Sequence, residues 1–138
     1  MYSVAMASAV EQLVREYFSR NVDGVAAVYL FGSQATGKAR PDSDVDLGVL
    51  FTKAPERTLA GLNLDLAGEL ELAVMRPVDL VVLNHAPVDL IHRVLRDGIL
   101  VAEMDKSARI AFEVKARNEY FDLLPYLEQY RRAQKASA

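Results

Sequence analysis

The chain has 138 residues, of which 51% are hydrophobic, and this is enough to fill the core of one domain. Its formal net charge of −3 gives no general attraction for nucleic acid, so any polyanionic ligand must be held by local positive charge or a metal ion. The absence of cysteine excludes a disulfide framework, a thiolate metal site and a cysteine nucleophile, and it suits the reducing cytosol.

No Gly-, Ser- or Pro-rich linker interrupts the pattern, so we expect residues 1–138 to form one domain that ends in a helical segment at about 105–135. The first ten residues lack the basic leading segment of a signal peptide, which favours a helix there. No apolar stretch reaches the roughly 20 residues that a membrane-spanning helix needs. We therefore expect a soluble, cytoplasmic protein.

The first half of the chain alternates helical and strand patterns. A helix capped by Ser3 is predicted over about 3–20, because apolar residues recur there at helical spacing. The apolar, β-branched run 25–31 indicates a buried central strand, and 44–51 indicates a second strand. Leucines at helical intervals then predict a helix over about 55–75.

The second half continues the alternation. Residues 77–83 predict a third strand, 88–96 a helix and 99–102 a short fourth strand. A helical pattern follows over about 107–134, and Pro125 is expected to break or kink it. This order predicts an α/β (α+β) fold in which a small mixed β-sheet is flanked by helices.

The loop between the first two strands carries the pattern that points to a chemistry. Gly32-Ser33 ends the first strand, ten residues follow, and Asp44-x-Asp46 opens the second strand. A glycine allows a ligand to approach the backbone closely, and N–H groups at a following helical turn attract phosphate. The Ser33 hydroxyl adds a hydrogen-bond donor. We therefore interpret this turn as a phosphate-binding element.

The two aspartates indicate a divalent metal site. Residues two apart on a strand point to the same face, so Asp44 and Asp46 project together, and their mutual repulsion favours a cation between or beside them. Oxygen ligands without His or Cys suit Mg²⁺, with Mn²⁺ as a substitute. Asp79 stands alone in the apolar third strand, where a carboxylate is costly unless it is paired or metal-bound. If the second and third strands are neighbours, Asp79 completes a three-carboxylate site.

Three loop residues are weaker candidates for nucleotide binding. Lys38 and Arg40 would neutralise a triphosphate, although ordinary solvation explains them equally well. Ser43 would orient the carboxylates or donate to a phosphate oxygen. His85 and His92 lack a partner motif and are interpreted as structural or surface residues. The charges of the last helix, including Arg109, alternate in sign, which predicts a solvated face.

The Gly-Ser-x10-Asp-x-Asp pattern, with Asp79 on a later strand, resembles the DNA polymerase β-type nucleotidyltransferase superfamily. More narrowly, the chain resembles the minimal nucleotidyltransferase (MNT) antitoxins of bacteria and archaea. The resemblance covers nearly the whole chain and includes three later segments: Pro77-Val-Asp-Leu80, Gly98-Ile-Leu-Val-Ala-Glu103 and Phe112…Tyr120-x-Asp122-x-x-Pro125.

This resemblance implies an antitoxin that transfers AMP from ATP, with Mg²⁺, to a tyrosine hydroxyl of a cognate HEPN-domain toxin, an RNase. One or more AMP units beside the toxin's Arg-x4–6-His-x-Tyr active site would silence it. Gly32 and Ser33 match the nucleotide-phosphate motif, and Asp44, Asp46 and Asp79 match the metal-binding catalytic carboxylates of a two-metal, in-line mechanism. Two alternatives stay open: an antitoxin that acts by binding alone, and a small-molecule nucleotidyltransferase of the aminoglycoside type, which the short chain disfavours.

Overall fold

The computed structural model describes residues 8–20, 22–56 and 64–136. The helices follow in chain order: α1 (Ala9–Ser19), α2 (Ser33–Thr36), α3 (Leu64–Val74), α4 (Val88–Asp97) and α5 (Lys106–Ala136). The strands are β1 (Val25–Phe31), β2 (Val45–Phe51), β3 (Val78–Val82) and β4 (Ile99–Glu103). None of the helices in these ranges is long and apolar enough to cross a membrane.

The strands form one mixed sheet in the order β3-β2-β1-β4. β1 runs antiparallel to both of its neighbours, whereas β2 and β3 run parallel. The end of β1 and the beginnings of β2, β3 and β4 therefore lie at the same end of the sheet, which we call the upper end. The predicted mixed sheet flanked by helices is confirmed.

Alternate side chains of the sheet enter two separate cores. On one face, Val45, Leu47 and Val49 of β2 pack with residues of α1 and α3. On the opposite face, Leu50 packs with residues of α4 and α5. Because residues two apart on a strand share a face, Asp46 points to the side of the sheet that α4 and α5 cover. Helices on both faces explain why β1 is apolar along its whole length.

A partly buried polar network joins α5 to the sheet. The Tyr29 hydroxyl donates to Glu113 Oε2 at 2.6 Å, and Arg109 Nη1 donates to the same oxygen at 2.9 Å. Arg109 also pairs with Glu103 at the end of β4. Burial and the bond to Glu113 raise the pKa of Tyr29. The prediction that Arg109 belongs to a solvated face is wrong, because its side chain is only 18% exposed and is shared by two carboxylates.

The start of the first helix differs from the sequence interpretation. α1 begins at Ala9, and Ser8 caps it by accepting a hydrogen bond from the Glu11 backbone N–H at 3.0 Å. The predicted cap Ser3 lies outside the described residues, as do residues 57–63 of the predicted helix 55–75.

Pro125 does not end the last helix, because α5 continues through it to Ala136. The proline removes one backbone hydrogen bond, which costs about 3 kcal/mol in a helix interior. Leu123, Leu124 and Leu127 are partly buried on both sides of it and continue the apolar stripe. This shared burial explains why the helix tolerates the proline.

A strained turn links α3 to β3. Met75 has a φ of 57°, and its N–H donates to the Glu71 carbonyl at 2.9 Å, closing the end of the helix. Glycine is the usual residue at such a position because a side chain is disfavoured there. The Met75 side chain is nevertheless 82% exposed, so packing does not offset this cost.

Met75→Gly is expected to stabilise the protein by ~0.5–1 kcal/mol. Glycine removes about 1–2 kcal/mol of left-handed strain from the folded state. Its greater conformational entropy in the unfolded chain costs about 0.5–1 kcal/mol of stability and offsets part of this gain. The midpoint and slope of a chemical denaturation curve give the free energy of unfolding of each variant. Leu72→Gly is the matched control, since Leu72 is similarly exposed (78%) but lies within α3, and it should cost about 1 kcal/mol. A loss of stability in Met75→Gly as large as that of the control would contradict the assignment of strain to Met75.

Candidate active site

The sheet register brings the predicted site residues together at the upper end. Asp46 lies directly opposite Asp79 in the parallel β2–β3 pair. On its other side, Asp46 lies opposite Phe31, the last residue of β1. Gly32 follows Phe31, so the glycine turn lies on one side of Asp46 and Asp79 lies on the other. The sequence condition that β2 and β3 be neighbours is therefore met.

Gly32 is fitted to this position by conformation and by space. Its φ and ψ of 72° and −154° lie in a region that is essentially restricted to glycine. A Cβ atom at this residue would lie 2.2 Å from Asp46 Oδ2, far inside contact distance. The Gly32 carbonyl also accepts the Ala35 and Thr36 N–H groups at 3.1 and 3.2 Å, which closes the single turn of α2. Ser33 thus begins a helical turn directly beside the Asp46 carboxylate.

The electrostatics of the site centre on Asp46. Burial, followed by the negative charges of Asp79 and Asp44, raises the pKa of Asp46 above its ordinary value of 3.8. Both charges that act on Asp46 are negative, which is the arrangement that a bound cation would relieve. Asp46 is partly buried, whereas Asp44 and Asp79 are exposed and accessible to a ligand.

The three carboxylates do not form a complete metal cage by themselves. Within residues 8–20, 22–56 and 64–136, no group of three His, Asp or Glu side chains is arranged to hold a metal ion. This arrangement still fits Mg²⁺, because that ion is usually held by one or two carboxylates together with waters and substrate phosphates. Only a glycine at position 32 leaves room for the Asp46 carboxylate to lie against the turn that begins α2.

Ser43 has a structural role in the loop that precedes Asp44. Its Oγ accepts the Arg40 N–H at 2.7 Å, and its own N–H donates to the Arg40 carbonyl at 3.0 Å. The hydroxyl proton stays available to a ligand, so the predicted contact with phosphate remains a prediction. Lys38 and Arg40 are exposed in the same loop, and their phosphate-binding role also remains a prediction.

Comparison with known proteins identifies the family. Residues 12–107 match the family model described as polymerase beta, nucleotidyltransferase. The chain belongs to the polymerase β nucleotidyltransferase family. No curated protein matches this nucleotidyltransferase significantly, whereas 19 chains of solved structures do.

Three solved structures illustrate the likeness of this nucleotidyltransferase. One is a toxin–antitoxin crystallised with AMP-PNP, with a TM-score of 0.72 and 26% identity, covering 93% of this chain and 98% of that chain. A protein described as a minimal nucleotidyltransferase is 36% identical with a TM-score of 0.51, over 66% of this chain and 88% of that one. A chain in the complex of tri-AMPylated Shewanella oneidensis HEPN toxin with MNT antitoxin shares the fold. It is 24% identical with a TM-score of 0.68, over 96% of this chain and 100% of that chain.

Sequence reasoning missed Arg76 of the nucleotidyltransferase. Its guanidinium Nη1 donates to the Pro41 carbonyl, which lies three residues before Asp44 in the loop. Arg76 directly precedes Pro77 and β3, and this place in the sequence beside Asp79 is the only signal that could have drawn attention to it.

The sequence has two histidines, and each contacts a residue other than the three site aspartates. His85 Nε2 is 2.5 Å from the Pro55 carbonyl oxygen, and His92 stacks on Tyr120 with ring centroids 3.6 Å apart. These contacts agree with the structural roles expected for both residues. A cavity of about 270 Å³ between α4 and α5 has the following lining, which includes none of the three aspartates: His92, Leu95, Arg96, Ala116, Arg117, Tyr120 and Phe121.

Proposed function

We propose that this nucleotidyltransferase is a cytoplasmic antitoxin that transfers AMP from ATP to a tyrosine hydroxyl of a HEPN-domain RNase toxin. The observation that carries the proposal is the register that sets Asp46 against Asp79 while Gly32 packs on the Asp46 carboxylate. Support for the biological setting comes from the similarity to a toxin–antitoxin crystallised with AMP-PNP. A HEPN toxin that carries AMP also occurs in complex with an MNT antitoxin of this fold.

The nucleotide and its metal would be held by the residues at the upper end of the sheet. Asp44, Asp46 and Asp79 would hold Mg²⁺, or Mn²⁺ in its place, together with oxygens of the triphosphate. The bound metal supplies activation of the attacking hydroxyl and stabilisation of the pyrophosphate leaving group. Gly32 and Ser33 would bind phosphate oxygens through the N–H groups that the first turn of a helix leaves without an internal partner.

The acceptor hydroxyl needs to lose a proton during the transfer. A phenol has a pKa of about 10 and is a weak nucleophile at neutral pH. Asp79 is exposed at the beginning of β3, where its carboxylate can accept that proton as the tyrosine oxygen attacks the α-phosphorus. The products are AMP esterified to the tyrosine and free pyrophosphate. No residue of this chain becomes covalently modified in this scheme.

The modified toxin would be inactive for electrostatic and steric reasons. AMP adds a negatively charged phosphate and a bulky nucleoside beside the histidine and arginine that the RNase uses. A phosphate group there would pair with those cations and occupy the position of the RNA backbone. Neutralisation would therefore persist after the antitoxin dissociates.

The combined variant Asp44→Asn with Asp46→Asn tests enzymatic against binding neutralisation. We expect it to bind the toxin but to leave RNA cleavage uninhibited, because it would hold neither metal nor triphosphate. Asp42→Asn, which changes an exposed aspartate of the same loop, is the matched control and should neutralise normally.

Two other outcomes would point to the alternatives. Full neutralisation by the double variant would show that binding alone inhibits the toxin. Transfer of AMP to an aminoglycoside hydroxyl, without transfer to the toxin, would indicate a small-molecule nucleotidyltransferase. Full neutralisation by the double variant would leave the fold and the site as described, but it would mean that the antitoxin does not act through AMP transfer.

A further inference from the structure

The loop that leads to Asp44 is exposed and is held mainly by short-range hydrogen bonds. Residues 36–42 are all exposed. The bonds between Arg40 and Ser43 close the loop on itself, and the Lys38 N–H donates to the Ser33 carbonyl at 3.1 Å. These local bonds shape the loop but do not fix its distance from β3, which carries Asp79.

Two contacts from the segment before β3 provide that long-range connection. The Arg76 guanidinium donates to the Pro41 carbonyl, three residues before Asp44. The Pro77 carbonyl accepts the Val45 N–H at 2.9 Å, one residue after Asp44. Asp44 is therefore bracketed by two anchors that come from adjacent residues, and those residues lead directly into Asp79.

The strained conformation of Met75 is what directs this segment. Helix α3 ends at Val74, and the left-handed turn at Met75 reverses the chain before Arg76. Arg76 is partly buried, whereas Lys38 and Arg40 of the loop opposite are exposed. An arginine suits this contact because its guanidinium offers five donors in a fixed plane to carbonyl oxygens.

We propose that Arg76 is a positioning residue that holds Asp44 in place relative to Asp79 by fixing the Pro41 carbonyl. The inference rests on the proposed function, in which both aspartates hold the metal. The Val45–Pro77 contact belongs to the strand pairing and survives without Arg76. The loss of Arg76 therefore frees the loop on one side of Asp44 only, without opening the sheet.

Hydrogen exchange of the metal-free, nucleotide-free protein tests the positioning directly. In Arg76→Ala the Ser43 amide should exchange about tenfold faster, the effect of losing one charge-assisted hydrogen bond, while the Val45 amide keeps its protection. Arg76→Lys retains a cation that can reach the carbonyl and should restore part of the protection. Arg93→Ala removes an exposed arginine on α4 and should leave both amides unchanged.

Kinetics on the toxin separate positioning from direct nucleotide binding. We expect Arg76→Ala to lower kcat about tenfold to a hundredfold with little change in KM for ATP, since misplaced ligands affect the transition state most. A raised KM for ATP with unchanged Ser43 exchange would overturn the proposal and make Arg76 a nucleotide-binding residue. If the wild-type protein transfers no AMP but Arg76→Ala still frees Ser43, the proposed function fails while the positioning of Asp44 stands. Unchanged exchange and unchanged kcat would also overturn it.

Discussion

Asp46→Asn is expected to lower AMP transfer by roughly 10³-fold or more while making the metal-free protein more stable at neutral pH. The Asp46 carboxylate lies opposite Asp79 and packs against Gly32, and in the proposed function it is a ligand of the metal. The same surroundings disfavour its charge when no metal is bound. Function and stability therefore change in opposite directions at this residue.

The pH dependence of stability gives this prediction a sign. Because the folded-state pKa of Asp46 is raised above its ordinary value of 3.8, its favourable contribution is complete below that value and is lost as pH rises through the raised pKa. Asp46→Asn has no carboxyl group at this position and does not lose this stability as pH rises. In thermal unfolding without metal, the melting temperature of the variant should therefore exceed that of wild type by a margin that grows from pH 4 to pH 7.

The matched control is Asp42→Asn, which removes one negative charge from the exposed loop without touching Asp46. It should retain transfer and show no comparable change of stability with pH. An Asp46→Asn variant that transfers AMP at the wild-type rate would show that Asp46 is not needed for the reaction. A variant that is less stable than wild type at pH 7 without metal would show that the charge of Asp46 is not disfavoured in the folded protein.

Gly32→Ala is expected to reduce transfer at least ~100-fold, the order of effect produced when a reacting group is displaced by about 1 Å. The added methyl would need the space of Asp46 Oδ2, which is 2.2 Å from the ideal Cβ position. The backbone conformation would also be strained, so the free energy of unfolding should fall by about 1–3 kcal/mol. Parallel transfer assays and denaturant titrations measure the two effects.

Gly37→Ala separates the two causes. Gly37 also has a positive φ of 77°, but a Cβ atom there would meet nothing within 4 Å. The control therefore carries backbone strain of about 1–2 kcal/mol without steric displacement of a carboxylate. Equal losses of transfer in the two variants would show that loop strain, rather than contact with Asp46, explains the effect.

The sequence was sufficient to predict that Asp46 and Asp79 lie on apolar strands, because that placement depends on strand periodicity. Asp46 alternates with the buried Val45 and Leu47, whereas Asp44 lies just before β2 rather than inside it as predicted. The lone carboxylate in an apolar strand drew attention to Asp79, but the expected cost of burying it is wrong because Asp79 is exposed. That Asp79 lies opposite Asp46 could be stated only as a condition, since strand order is a tertiary property. Parallel pairing of β2 with β3 turned this condition into an observation.

The features that were missed depend on contacts between distant parts of the chain. Arg76 meets Pro41 only because the turn at Met75 directs it across to the loop. Arg109 pairs with Glu103 and Glu113, and Glu113 also accepts a hydrogen bond from Tyr29 of β1, which is 84 residues away in the sequence. Local spacing places Glu113 beside Arg109 but does not reveal the contact with Tyr29. In the same way, the helix-breaking tendency of Pro125 is overridden by the packing of the residues around it.

The most direct test is the intact mass of the HEPN toxin that we propose as its partner, after incubation with this protein, ATP and Mg²⁺. We expect the toxin to gain one or more AMP units, with the modification on a tyrosine and with pyrophosphate released. The gain should be absent with the Asp44→Asn, Asp46→Asn double variant. An unchanged toxin mass together with full neutralisation would contradict AMP transfer as the mechanism.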